Sequence, residues 1–150
     1  MKFRRLSDLE EVEIGKYVAE YTANNEDVTL YVGCDSQNRA ITTHYVTTIV
    51  MHVGESGCHV IYKREVVPRI FDMWTRLWNE VEKSVEVALY LKECGVKVHN
   101  IDLDLNSNVA NASNKLVAAA TGYVHSLGIA PRIKPDVLPA VHAADNLVNK

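Results

Sequence analysis

A chain of 150 residues, 47% hydrophobic and 23% charged, has the composition of a soluble globular protein and the length of one domain with a sizeable core. Its formal net charge of −3 argues against a general polyanion-coating protein, which is usually basic. Nucleic acid stays open as a partner, because divalent cations screen an acidic site.

In chain order, Ser7 and Glu10 have the spacing of a capping box, and Leu9, Val12, Tyr17, Val18 and Tyr21 recur at helical spacing. They predict a helix over residues 8–24, closed by Asn24 and Asn25. Residues 28–35 are an apolar run rich in β-formers that ends on a carboxylate, Asp35, followed by Ser36 and Gln37. An acid at the end of such a strand is expensive to desolvate alone, so Asp35 either caps a turn or holds a cation.

Residues 40–53 and 58–67 read as two further strands, with Ile41, Tyr45, Ile49, Met51 and Val53 on one face of the first and Val60, Tyr62 and Val66 on one face of the second. Three strands with tight links predict an antiparallel meander, ended by Pro68. The period then becomes helical over residues 70–94, with Gly95 as the stop. Residues 96–105 read as a strand, 111–127 as a helix, 129–134 as a short strand before Pro135, and 138–149 as a closing helix. The order predicts an α/β fold: one mixed five-stranded sheet, three antiparallel strands followed by crossovers, covered by helices. Residues 1–150 form a single domain in this reading, with 1–26 as an N-terminal helical extension and 27–150 as the core.

The chain carries three cysteines and no CxxC pair, which indicates neither a disulfide framework nor a zinc knuckle and fits a reducing, cytoplasmic setting. No apolar run approaches the ~20 residues of a membrane span. The N-terminus turns acidic too soon for a signal peptide. Six scattered histidines form no zinc pattern.

Five acids are candidates for convergence: Asp35, Glu80, Asp102, Asp104 and Asp145. Strand alternation puts Asp102 and Asp104 on the same face, either as a site or as the polar face of an edge strand. Glu80 shares a helix face with Leu77, Ser84, Val87 and Leu91, which aims it at the sheet, whereas Glu82 and Glu86 look solvated. Asp145 follows two alanines, with His142 one turn earlier; the alternative is a solvated terminal helix. Close carboxylates repel and raise one another's pKa, so three or four of them stay ionised only around a cation. Oxygen-only ligands suit Mg²⁺ or Mn²⁺, and two such ions activate water and stabilise the leaving oxygen of a phosphodiester. Ser36 and Gln37 adjoin Asp35, His142 is one turn before Asp145, and Lys134 lies just before the last helix, where it can reach a phosphate; these four can contact substrate. Lys63, Arg64, Arg69 and Arg76 either line a phosphate path or are solvated ends.

The element order and the four acid stations resemble the ribonuclease H-like superfamily, with Asp35 on the first core strand, Glu80 on the helix after the meander, Asp104 (rival Asp102) at the end of the fourth strand and Asp145 on the last helix. More closely, VGCDSQ, the Glu80-x-x-x-Ser84 helix, LDLN, TGYVHSLG and AADNLV, in that order, resemble the YkuK-type branch of small bacterial proteins. The resemblance implies a two-metal nuclease acting on RNA, RNA/DNA hybrid or structured DNA, with Asp35 bridging two ions, Glu80 and Asp104 completing one shell and Asp145 the other. The alternative is a non-catalytic module of the same fold that binds nucleic acid or protein. An ATP-handling relative ranks last, because glycine-rich phosphate loops are missing. The N-terminal helix is additional to the superfamily core, and the chain lacks the basic substrate-handling extension of some ribonucleases H.

Overall fold

The computed structural model of the chain describes residues 1–106 and 113–149. The elements are β1 (Lys2–Arg5), β2 (Glu11–Glu13), α1 (Ile14–Asn24), β3 (Val28–Asn38), β4 (Thr42–Val53), β5 (Cys58–Pro68), α2 (Met73–Glu93), β6 (Asn100–Asn106), α3 (Asn114–Ser126), β7 (Ala130–Lys134) and α4 (Pro139–Val148). The strands form one mixed sheet of seven, in the order β2-β1-β5-β4-β3-β6-β7. The meander β3–β4–β5 is antiparallel, and β6 and β7 join it in parallel.

Two more strands are present than the five expected. The N-terminal residues do not enter a helix at residue 8. They form a ribbon in which Lys2 faces Glu13 and Arg4 faces Glu11 across the strands, opposite charges that favour this pairing. Phe3 alternates inward and is 1% exposed. Asp8 serves the turn rather than a helix cap: it is held by Arg5 at 2.6 Å, and Leu9 turns the chain at φ 63. The true cap of α1 is Glu13, whose carboxylate accepts from the Gly15 N–H at 2.9 Å. Asn25 closes α1. The strand expected over 96–105 begins only at Asn100, although Val96 and Val98 are already buried in the core. The helix expected over 111–127 is seen as α3; positions 111 and 112 lie outside the described residues.

Both faces of the central strands are covered. Leu30 and Val32 of β3 and Ile49 and Met51 of β4 pack with residues of α1, α2 and α3 in the main core. Val46 of β4 and Tyr62 of β5 pack on the other face with Ala144, Leu147 and Val148 of α4. Ile41 and Val66, placed by alternation on the same faces as Tyr45 and Tyr62, are 81% and 55% exposed, because they lie toward the open end of the β4–β5 hairpin.

Helix α4 is the element that closes the sheet over the acids, and its seat is built from four strands. It has Pro139 in its first turn and no side-chain cap of its own. The Asp102 carboxylate supplies the missing acceptor, taking the Ala140 N–H at 2.9 Å, where the helix dipole favours a negative charge. The Thr48 hydroxyl donates to the Ala140 carbonyl at 2.6 Å. Gly33 lets the helix come close: a Cβ there would meet Ala140 Cβ at 2.9 Å. At the other end, Arg64 and Arg39 donate to the carbonyls of Leu147 and Val148 at 2.7 and 3.0 Å, cations at the negative end of the dipole.

Candidate functional site

Parallel pairing of β3 with β6 runs from Tyr31/Asn100 to Gly33/Asp102. Two residues further along each strand are Asp35 and Asp104, at the carboxyl ends of neighbouring parallel strands, where α/β sheets place their ligands. Glu80 reaches the same point from α2. One ligand atom from each of Asp35, Glu80 and Asp104 lies within 4.8 Å of the others. Asp35 and Glu80 are 8% and 6% exposed. Two unit charges at that separation repel by about 3 kcal/mol at an effective dielectric of about 20.

The electrostatics follow. Burial, then the charges of Asp104 and Asp145, push Asp35 up to about 7, although its Oδ1 accepts the Ser36 N–H at 2.8 Å. Burial and the nearby Asp35 hold Glu80 well above the usual carboxylate range. The Ser36 hydroxyl donates to Glu80 Oε2 at 2.5 Å and opposes that rise. Ser36 therefore orients an acid of the cluster, a contact that sequence reading did not anticipate. Buried Cys34 also lies near Glu80, but burial pushes its thiol up, which removes it as a nucleophile at neutral pH.

A cavity of about 320 Å³ opens over the cluster, lined by Asp35, Asp104, Lys134, Asp136, Leu138, Val141, His142 and Asp145. Asp145 and His142 are exposed at its rim, and Asp145 lies outside the tight group of three. Lys134 Nζ stands 2.6 Å from Asp104 Oδ1, and that carboxylate, with Asp35 and Asp145, raises the lysine pKa. Asp136 is a further acid of the cavity that the sequence reading did not single out. Gln37 is half-buried on β3, two residues beyond Asp35.

Asp102, the rival to Asp104, is 1% exposed beneath α4, with one oxygen on the Ala140 N–H and the other 3.8 Å from Arg132 Nε. It seats the helix rather than joining the three. Glu82 and Glu86 are exposed. They line a larger cavity, about 730 Å³, between α2 and the β4–β5 hairpin, which contains no acid of the cluster. Arg64 and Arg69 donate to main-chain carbonyls, and Lys63 pairs with Glu65 at 3.6 Å.

The fold and site define an α/β protein that gathers acids, two of them buried and one half-buried, at the carboxyl ends of two adjacent parallel strands, under a closing helix. The chain belongs to the ribonuclease H-like family, which matches residues 12–149. Comparison with curated proteins and with solved structures gave no match. No described helix is long and apolar enough to cross a membrane.

Proposed function

We propose that the protein is a nuclease that hydrolyses phosphodiester bonds of nucleic acid (RNA, RNA/DNA hybrid or structured DNA) with Mg²⁺ or Mn²⁺. The observation that carries this reading is the meeting of Asp35, Glu80 and Asp104 from three separate elements, with ligand atoms within 4.8 Å. Asp35 and Glu80 are buried and Asp104 half-buried, and carboxylates this close repel one another unless a cation lies between them. Carboxylate oxygens are hard donors that suit Mg²⁺ or Mn²⁺, and the adjoining cavity leaves room for water and phosphate.

In this reading Asp35, Glu80 and Asp104 hold one ion, and Asp35 with Asp145 holds a second. When bound, the two ions activate water and stabilise the leaving oxygen. The chain's own residues do the rest. Ser36 fixes Glu80, Asp102 and Gly33 seat α4 so that Asp145 overhangs Asp35, and Lys134 and His142 stand at the rim, where a phosphate enters. Ser36 and Gln37 also offer polar contacts to substrate. The three free thiols, Cys34, Cys58 and Cys94, fit a reducing, cytoplasmic setting.

One observation favours a second reading, a non-catalytic module that binds nucleic acid or protein. Lys134 already supplies Asp104 with a positive charge, as an acid site without metal needs. Calorimetric titration of Mn²⁺ into the protein separates the two. The nuclease reading expects saturable binding that is lost in Asp35→Asn and kept in Glu82→Gln, and ions among the named acids in crystals soaked with Mn²⁺. No binding supports the module.

A further inference from the structure

Pairing of β1 with β5 brings two cations of the N-terminal ribbon beside two of β5 on a protein of net charge −3. Lys2, Arg4, Lys63 and Arg64 line a cavity of about 340 Å³ with Phe3, Tyr62 and a single acid, Glu11. That volume equals on the order of ten waters at about 30 Å³ each, enough for a phosphate group and its solvent. Lys2 and Arg4 are exposed. Arg64 gives one N–H to the Leu147 carbonyl and Arg4 one to the Leu9 carbonyl, which leaves each guanidinium further donors.

The sheet register ties this cavity to the acid cluster. Asp35 is the partner of Val46, and Val46 is the partner of Arg64. Arg4 is the partner of Tyr62, so two residues along the antiparallel strand Lys2 falls abreast of Arg64. Asp35, Arg64 and Lys2 thus share one row across one face of the sheet, with the C-terminal end of α4 between the acid and the two cations. At about 4.8 Å per strand, Lys2 lies about 14 Å from Asp35. That is about four base pairs of duplex at about 3.4 Å each. The family match begins at residue 12, so β1, with Lys2 and Arg4, lies outside the matched core.

We infer that this cavity is a phosphate-backbone site for the nucleic acid whose other end lies at Asp35, Glu80 and Asp104. The ribbon thereby supplies a basic contact on an otherwise acidic chain. The inference rests on the nucleic-acid reading above, though not on cleavage.

Fluorescence anisotropy with labelled 20-base-pair duplex DNA and RNA/DNA hybrid, in EDTA and over a salt series, tests it. Lys2→Ala/Arg4→Ala is compared with Lys16→Ala/Lys97→Ala, which removes the same charge from exposed positions elsewhere. The ribbon pair is expected to weaken binding about tenfold and to lower the slope of log K against log salt by about 1.8, the loss of two phosphate contacts. The control pair is expected to move neither. Lys2→Gln alone, for use if the double variant melts early, is expected to lower the slope by about 0.9. Equal effects of the two pairs, or an unchanged slope in Lys2→Gln, overturn the inference, as does a wild type that binds neither ligand. Metal-dependent cleavage that persists beside an unchanged slope overturns this site alone. An altered slope without cleavage overturns the nuclease alone.

Discussion

Lys134 Nζ and Asp104 Oδ1 are 2.6 Å apart at the mouth of the acid cavity, joining the end of β7 to the end of β6. The lysine is the counter-charge of the cluster when no ion is present. Its side chain is half exposed, so the pair is worth about 1 kcal/mol at most. Lys134→Met is therefore expected to lower the metal-free melting temperature by about 2–4 °C. Saturating Mn²⁺ should restore it, because a cation then replaces the lost charge. A variant that melts with the wild type in EDTA and gains no more from Mn²⁺ would show that the lysine does not balance the acids.

The seat of α4 gives a second prediction. Gly33→Ala forces a methyl group to within 2.9 Å of Ala140 Cβ, so the helix must move outward. Overpacking of this kind costs about 1–3 kcal/mol. Asp102→Ala removes the acceptor for the Ala140 N–H and leaves that buried donor unpaired, a loss of about 1–3 kcal/mol, while Arg132 keeps the Val137 carbonyl and the Tyr31 ring as partners. Asp102→Asn keeps an oxygen acceptor and should lose less. Urea melts of the three variants check the order, and an Asp102→Ala protein as stable as wild type would remove the aspartate from its role under the helix.

The pH dependence has a definite sign. Asp35 and Asp102 stand at about 7 and about 6, above the ordinary 3.8, mainly through burial. The folded state then binds protons that the unfolded chain has released, so metal-free stability falls as pH rises from about 4 to about 7. For Asp35 alone, a shift of about three pKa units is on the order of 4 kcal/mol. Lowered acids such as Asp8 and Asp72 act the other way and lose stability only as pH falls through their depressed values. Melting curves in EDTA from pH 4.5 to 7.5 should fall in temperature with pH, and Mn²⁺ should flatten them. A rise in the melting temperature over that range in EDTA would contradict the electrostatic picture.

Much of the core was legible. An apolar run ending on Asp35 and a helix face of Leu77, Glu80, Ser84, Val87 and Leu91 each have one strong period, and their two acids meet in space. The choice between Asp102 and Asp104 was not legible, because alternation puts both on one face and only the docking of α4 tells them apart. The ribbon was missed because strands of four and three residues carry too little period to compete with the capping-box spacing of Ser7 and Glu10. Asp136 belongs to no periodic segment; it reaches the cavity through the turn after β7.

The central claim is that Asp35, Glu80 and Asp104 make a metal-dependent nuclease. Cleavage of labelled RNA, duplex DNA, RNA/DNA hybrid and a four-way junction by wild type and Asp35→Asn, in Mn²⁺ and in EDTA, tests it most directly. Wild type should cut at least one substrate in Mn²⁺ and none in EDTA. Asp35→Asn should be slower by about 100-fold or more, the cost of losing one charge-stabilising group in a catalytic site. Equal cutting by both proteins, or no cutting of any substrate by the wild type, would contradict it.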